Sequence, residues 1–493
     1  MDLERIGNQE GVNLACQEQV ALQRGLKNRH IQLIAMGGII GSCYFLGNGY
    51  LIDTMGPAAC LAFLFGGMIV FMVTYCLGEL AVAMPVCGSF VNYANDLISP
   101  TWAAGVGWSY YTNWVVYIPA EFIATGIIMN NFFPAVDPLY WSIIFGIILT
   151  IVNMLYVGTF GELEFWLALI KVCAIVIFTV LAVLIFFGLI GNQQGHVLGT
   201  SILLGSGGFF PGGFVIVLLS MSLIINNYLG SELIGIAAGE SEQPEKAIPV
   251  AVRNVTFRIV AMFSIPTLLL TVIFPWKQAG LEESVFAAAL NAYGFNWAGV
   301  VMSLVVLTAA VSCANSGIYG SSRAVVGMAQ TGMAPRWMAK TNRRGVPYAA
   351  VIVCMIPAWI ALFAYTLDTS GQIYTILLSL SGFTGLLSWI CICWCQYNFR
   401  RRLEKMGVDA KKTLKFTMPY FPYVTCFAIL IMAVIMLYTF INPDLRISSY
   451  IGIPMLVVPM ILYHLFGDKE KHKAGLGGVN VFEQFLKTNG IKE

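Results

Sequence analysis

Residues 31–54 read IQLIAMGGIIGSCYFLGNGYLIDT and carry one charge, Asp53, near the end. A helix needs about 20 mainly apolar residues to cross the hydrocarbon core of a bilayer, and this stretch is long enough. It is also interrupted early, by Gly37, Gly38 and Gly41. Outward from it the apolar pattern recurs at 57–84, 101–131, 138–158, 162–191 and 209–239. It returns at 253–275, 297–331, 347–366, 371–397, 418–442 and 446–466. Of the 493 residues, 58% are hydrophobic and 11% charged, against about 25% charged in a typical soluble domain. A soluble globule of this length cannot hide so much apolar surface. The runs are continuous rather than alternating, which argues against a β-barrel. The reading is an all-α polytopic membrane protein with twelve transmembrane helices. A secreted protein, a nucleic-acid binder and a soluble enzyme are excluded.

An even number of spans puts both termini on one side. With the termini inside, 24 of the 27 Lys and Arg residues fall on inner segments, and only Lys277 and Arg446 fall outside. The positive-inside rule therefore places both termini in the cytoplasm. The expected organisation is a cytoplasmic N-terminal segment (1–30), a ten-helix core (31–397) and a basic cytoplasmic loop (398–417). Helices 11 and 12 (418–466) and a cytoplasmic tail (467–493) complete it. The block Arg400, Arg401, Arg402 and Lys405 is expected to anchor at the inner surface. Residues 1–29 lack the apolar core of a cleavable signal. Val285 to Tyr293 is expected to form a short helix over the outer face. Four scattered histidines give no metal cluster, and the 12 cysteines fall mostly inside apolar runs. They read as small buried residues, with no disulfide.

Two runs contain weak points at corresponding positions. Run 1 has Met36-Gly37-Gly38-Ile39-Ile40-Gly41-Ser42, and run 6 has Asn226-Asn227-Tyr228-Leu229-Gly230-Ser231-Glu232. Glycine costs about 1 kcal/mol in a helix interior, and Asn and Ser compete for backbone hydrogen bonds. Runs 1 and 6 open two five-helix blocks, and paired interruptions of this kind point to a transport site. The alternative is that the glycines only allow close helix packing. A break frees N–H groups that favour a carboxylate and C=O groups that favour an ammonium, so the fit is to an amino acid. Charges inside the membrane cost about 2.5–3.5 kcal/mol on insertion scales and mark functional candidates. Four are expected: Glu79, Glu121, Lys171 and Glu232. Lys171 reads as a fixed cation, as the proton-coupling group, or as a chain snorkelling to the interface. Glu232, just past the second break, reads as a substrate or proton contact. Glu121 joins the same network or makes a structural hydrogen bond, and Glu79 is structural.

These motifs resemble the amino acid–polyamine–organocation superfamily, in the branch of lysine, GABA and aromatic amino acid permeases. The matching stretches are HIQLIAMGGIIG from His30, GELAVAMPVCGSF from Gly78 and FGELEFWLALIKV from Phe160. GSELIGIAAGESEQPEKAIPVAVR from Gly230, NSGIYGSSR from Asn315 and GVP from Gly345 complete the set. The resemblance implies a LeuT-like fold, with two inverted five-helix repeats, broken helices 1 and 6, and helices 11 and 12 added. It implies alternating access by a secondary carrier, usually proton-coupled. The substrate carboxylate would meet Gly41, Ser42 and Cys43. The ammonium would meet carbonyls of Ile39, Asn226 and Leu229, beside Gly230. Lys171 stands where sodium sits in sodium-coupled relatives, and Glu232 and Glu121 map to acids of helices 6 and 3. Two departures stand out. Cys43 and Tyr44 follow Ser42 where relatives carry smaller residues, and Asn226 replaces an aromatic lid, a role that Tyr228 would then take.

The expected function is import of an amino acid across the cytoplasmic (plasma) membrane by proton-coupled symport. An amino acid/amine exchanger and a non-transporting amino-acid sensor are the alternatives. The protein is not expected to be an enzyme or to carry a cofactor, the proton serving as coupling ion. Its partners are the amino acid substrate and the lipid bilayer, not nucleic acid, and it is expected to be a monomer or homodimer.

Overall fold

A computed structural model describes residues 38–86, 89–155, 160–192, 207–238, 243–280, 284–342, 346–367, 372–443, 445–467 and 480–491. The N-terminal segment 1–30, Met36 and Gly37 of the first break, residues 239–242 and Arg343 to Gly345 lie outside them. No strand occurs among the described residues.

Helices occupy each of the expected apolar runs. The first run holds α1 (Ser42–Phe45) and α2 (Gly47–Met55), then α3 (Ala59–Ala83) and a short α4 (Phe90–Leu97). Next come α5 (Pro100–Phe132), α6 (Pro138–Leu155) and α7 (Phe160–Phe186). The sixth run, expected as one interrupted helix, is three short pieces: α8 (Gly213–Leu219), α9 (Met221–Asn226) and α10 (Leu233–Ala238). The seventh run starts earlier than its apolar character suggests, because α11 (Pro244–Ile273) is opened by a proline at its first turn, where the missing N–H costs nothing. The short helix expected from Val285 to Tyr293 appears as α12 (Val285–Ala292). Then follow α13 (Asn296–Gln330), α14 (Tyr348–Leu367) and α15 (Ile373–Lys405). The last four are α16 (Ala410–Thr413), α17 (Tyr423–Ile441), α18 (Arg446–Phe466) and α19 (Val481–Thr488). Since α15 runs to Lys405, the basic block Arg400–Arg402 is helical rather than part of a loop.

Among the described residues, eight helical stretches are long and apolar enough to cross a membrane, with shorter apolar helices at Pro138–Met154 and Val260–Ile273. Burial sorts them into layers. The apolar window of α15 is 89% buried, whereas those of α17 and α18 are only 28% and 22% buried. In a lipid solvent the inner helices are those that carry polar groups, and α5, α13 and α15 do. α5 packs on α13, α15 and α18, α15 also packs on α18, and α3 is packed along α11. The outer faces of α17 and α18 expose Phe427, Leu430, Leu437, Ile461 and Leu465, as lipid-facing surfaces should. The 480–491 segment, expected as plain tail, packs against α4. Phe482 and Phe485 pack around Phe399 of α15, and the Asp96 carboxylate accepts the Val481 N–H at 2.6 Å.

Glu79 near the end of α3 is structural, as its sequence position suggests. Arg400 Nε of α15 lies 2.9 Å from its Oε1, Gln396 Nε2 donates to the same oxygen at 3.0 Å, and the Met418 N–H donates to Oε2. Removing one partner of a buried pair strands the other charge, at a cost of about 3–5 kcal/mol. Glu79→Ala is therefore expected to lower the thermal unfolding midpoint of the purified protein sharply. Arg400→Ala should do the same. The double variant should lose less than the two single losses combined; additive losses would show that the pair is not coupled.

Candidate functional site

The first break is a change of backbone direction rather than a gap. Gly38 and Ile39 are helical, Ile40 is not, and Gly41 is extended (φ −110°, ψ −170°) before Ser42 restarts the helix. Four backbone groups around it find side-chain or ionic partners drawn from other parts of the chain. The Ser42 N–H donates to both carboxylate oxygens of Glu121 on α5, each at 3.2 Å. The Ile40 carbonyl accepts from Lys171 Nζ of α7 at 3.0 Å. The Gly38 carbonyl accepts from Cys313 Sγ of α13 at 3.3 Å. The Phe45 carbonyl, one turn on, accepts from Ser284 Oγ at 3.2 Å.

The second break runs from Asn227 to Glu232, between α9 and α10. It turns on Gly230, at φ +98°, a conformation open to glycine and costly for other residues. The Gly230 N–H donates to the Glu232 carboxylate at 3.1–3.2 Å, and Trp389 Nε1 of α15 donates to Glu232 Oε2 at 3.2 Å. A Cβ on Gly230 would lie 2.6 Å from the Gly38 carbonyl oxygen. The two breaks thus meet backbone to backbone. A Cβ on Gly382 of α15 would lie 2.1 Å from the Ser222 carbonyl, so α15 closes on α9 just as tightly.

Of the residues singled out in the sequence, Ile39, Gly41, Ser42, Cys43, Asn226, Gly230, Glu121 and Lys171 gather at this junction. Asn226 Nδ2 donates to Cys43 Sγ at 3.1 Å, joining the two departures from the usual pattern. The Leu229 side chain turns to α15, against Gly385. Glu232 is bound into its own turn. Lys171 is fully buried and held from two helices, which rules out snorkelling. Tyr228 goes elsewhere: its hydroxyl donates to the Phe63 carbonyl at 2.5 Å and its ring lies 5.1 Å from that of Phe263. Tyr44 stacks on Phe263 at 4.2 Å, so both tyrosines belong to an aromatic wall between α1, α3 and α11 rather than to a lid.

Three residues of the site go beyond the sequence reading. Tyr374 OH lies 3.4 Å from Ser42 Oγ. Tyr117, one turn before Glu121 on α5, sits beside it and beside Cys313; its i, i+4 spacing from Glu121 is the signal that could have found it. Glu164 is a further buried membrane charge. Ser312 Oγ of α13 donates to Glu164 Oε1 at 2.5 Å and accepts from Lys171 Nζ at 2.8 Å. The space beside Cys43, Asn227 and Tyr374 amounts to about 10 Å³, room for about one water. An amino acid fits only if the breaks and their neighbours part. No group of three or more metal-ligating side chains occurs among the described residues.

Two interrupted helices packed break to break, with carboxylates on the freed amides, suit a carrier of small zwitterions, and comparison with known proteins agrees. Residues 30–474 match the amino acid permease family. The chain belongs to that family. It is 38% identical over 451 residues to the amino-acid permease RocE of Bacillus subtilis, covering 91% of this chain and 96% of that one. It is 34% identical to the aromatic amino acid transport protein AroP of Escherichia coli, at the same coverage. It is 35% identical to the gamma-aminobutyric acid permease of Bacillus subtilis, covering 84% and 87%. A manganese transporter of Eremococcus coleocola shares the fold, with a TM-score of 0.57 over 90% of this chain and 94% of that one, at 12% identity. This permease is a multi-pass membrane protein of a transporter family, not an enzyme.

The contact between the breaks gives a test. Gly230→Ala adds a Cβ where the Gly38 carbonyl stands, on a backbone that disfavours it. The variant is expected to insert into the membrane at wild-type levels and to lose amino acid uptake. Uptake near the wild-type rate would show that the breaks need not touch.

Proposed function

We propose that this permease imports an amino acid across the cytoplasmic membrane by alternating access, in symport with a proton. The observation that carries the reading is the Glu121 carboxylate seated on the Ser42 N–H. It marks a carboxylate site at the start of a restarted helix, where the dipole favours negative charge. On this reading a substrate carboxylate takes the Ser42 amide, flanked by Gly41 and Cys43, when Glu121 withdraws. The ammonium meets carbonyls of Ile39, Asn226 and Leu229 beside Gly230. Glu232 holds the second break in shape, and Tyr228 braces it from the aromatic wall. Lys171 supplies a cation on the Ile40 carbonyl, and the coupling proton acts at Lys171 or an acid beside it.

The positions of the helices support a twelve-span arrangement, with two five-helix repeats in a 31–397 core and α17 and α18 added. The Lys and Arg asymmetry supports cytoplasmic termini. The relatives' names, for aromatic amino acids and gamma-aminobutyric acid, support an amino acid or amine as cargo. Within that class the wall favours a polar one. Asn226 Oδ1 and Asn227 Oδ1 are buried without a hydrogen-bond partner, and a substrate donor would satisfy them.

The test is uptake of a labelled amino acid mixture into proteoliposomes, with and without an inward proton gradient. Wild-type protein is expected to accumulate substrate only with the gradient, and Lys171→Ala to abolish the accumulation. One charge moving inward across 100 mV gains about 2.3 kcal/mol. Uptake that requires preloading and ignores the gradient would make the protein an exchanger. Absence of uptake from folded protein would reject transport of the amino acids offered.

A further inference from the structure

Glu164 plays no part in the reading above, yet it is the group to which Lys171 is tied. Both lie on α7, seven positions apart and so on one face of the helix. Ser312 of α13 stands between them. Lys171 Nζ donates to Ser312 Oγ at 2.8 Å, and Ser312 Oγ donates to Glu164 Oε1 at 2.5 Å. The direct N···O separation is 3.9 Å. All three residues are fully buried. The same ammonium bonds the Ile40 carbonyl in the first break at 3.0 Å. Ser316 of α13 faces Glu164, and Glu121 of α5 and Cys313 of α13 face Lys171. A continuous donor–acceptor chain thus runs from a buried acid, through a hydroxyl, to a cation seated on the unwound backbone.

We propose that Glu164 is the proton partner of Lys171 and exchanges a proton with it across the Ser312 hydroxyl. The proposal rests on the reading of this permease as proton-coupled, and it names a group that carries the coupling. In the step, a Lys171 N–H bond breaks as its proton moves to Ser312 Oγ. The proton already on Ser312 moves to Glu164 Oε1. Lys171 becomes a neutral amine, Glu164 a neutral acid, and the serine hydroxyl is restored. The proton count of the triad is unchanged. The amine lone pair then accepts the coupling proton, giving an ammonium beside a protonated Glu164, and the triad holds one proton more than the original ion pair. Reversal on the other side of the membrane releases it. Burial makes the exchange accessible, because desolvation penalises the ion pair and spares the neutral one. The Ile40 bond passes the change to the first break, since a neutral amine is a weaker donor to that carbonyl than an ammonium.

The test compares wild type, Ser312→Ala, Ser312→Thr and Glu164→Gln in proteoliposomes, with a labelled mixture of L-amino acids. Counterflow against the preloaded mixture reads substrate binding and alternation. Accumulation under an inward pH gradient reads coupling. For one proton per substrate, each pH unit raises the accumulation ratio roughly tenfold. Wild type should follow that dependence, and Ser312→Thr should restore it, because the hydroxyl is kept. Ser312→Ala and Glu164→Gln should keep measurable counterflow while their accumulation ratio falls to about one at every gradient. Wild-type accumulation in Ser312→Ala overturns the proposal. So does loss of counterflow in Ser312→Ala, which would make the hydroxyl a packing group. If Glu164→Gln does not fold, the contrast between Ser312→Ala and Ser312→Thr decides. The more basic failure is separate: wild type with counterflow and no gradient response removes proton coupling itself, and wild type with neither removes the amino acid reading.

Discussion

Backbone polar groups cannot stay unpaired inside a bilayer, where each costs several kcal/mol. A helix meets that demand within itself, and a broken helix does not. The two interruptions in this permease therefore dictate where other helices stand. The groups freed near Gly38, Ile40 and Ser42 are taken by Cys313 of α13, Lys171 of α7 and Glu121 of α5. The Gly230 amide is taken by Glu232, which Trp389 of α15 fixes in turn. The partners of the first break come from helices far apart in sequence. Their convergence on one junction follows from the breaks themselves, and the inner position of α5, α13 and α15 follows from the partners.

The same constraint suits the junction to the substrate site proposed above. A side chain that satisfies a freed backbone group can be replaced by a ligand offering the same chemistry, at no net loss of hydrogen bonds. Glu121 presents to the Ser42 amide the group that an amino acid would present. Exchange of one carboxylate for another keeps the amide paired throughout, which a break sealed by apolar packing could not do. On the proposed alternating-access reading, alternation is a trade among partners rather than a passage through unpaired backbone.

Much of this is legible in the sequence. The apolar runs locate the helices, and the Gly-rich and Asn-rich interruptions locate both breaks, because glycine and asparagine weaken helices wherever they fall. Lys171 and Glu121 stand out because a charge in an apolar run is expensive. Glu164 does not stand out, since it lies near the start of its run, where a charge ordinarily reaches water. Its burial and its contact with Ser312 appear only in the structure. Tyr374 carries no signal, because its role depends on how α15 crosses α1. Tyr228 looks like a lid by position alone, whereas its hydroxyl is claimed by the Phe63 carbonyl. The sixth run shows its weak point at Asn226–Glu232 but gives no sign of the earlier interruption at Ser220, where its apolar residues continue past the boundary between α8 and α9. The helix at 481–488 is obscured by a polar setting that hides its apolar face, which is covered by Phe399 and α4.

Two buried acid–base pairs among the described residues differ in kind. Glu79 and Arg400 are in direct contact at 2.9 Å, and Gln396 and the Met418 amide occupy the acid's oxygens as well. Arginine does not give up its proton in proteins, so that pair is static and serves as a clamp between α3 and α15. Glu164 and Lys171 stand 3.9 Å apart with a hydroxyl between them. Lysine can lose its proton when buried, and a hydroxyl both donates and accepts, so a proton has a route along existing hydrogen bonds. The clamp ties two continuous helices, where charge exchange would gain nothing. The Lys171 pair ties α7 to α13 and to the Ile40 carbonyl, at the break where, on the proposed reading, the backbone changes partners as the carrier turns over. Residue chemistry and position agree at both sites: the pair that cannot exchange a proton joins two continuous helices, and the pair that can exchange one lies against the interrupted backbone of the first break.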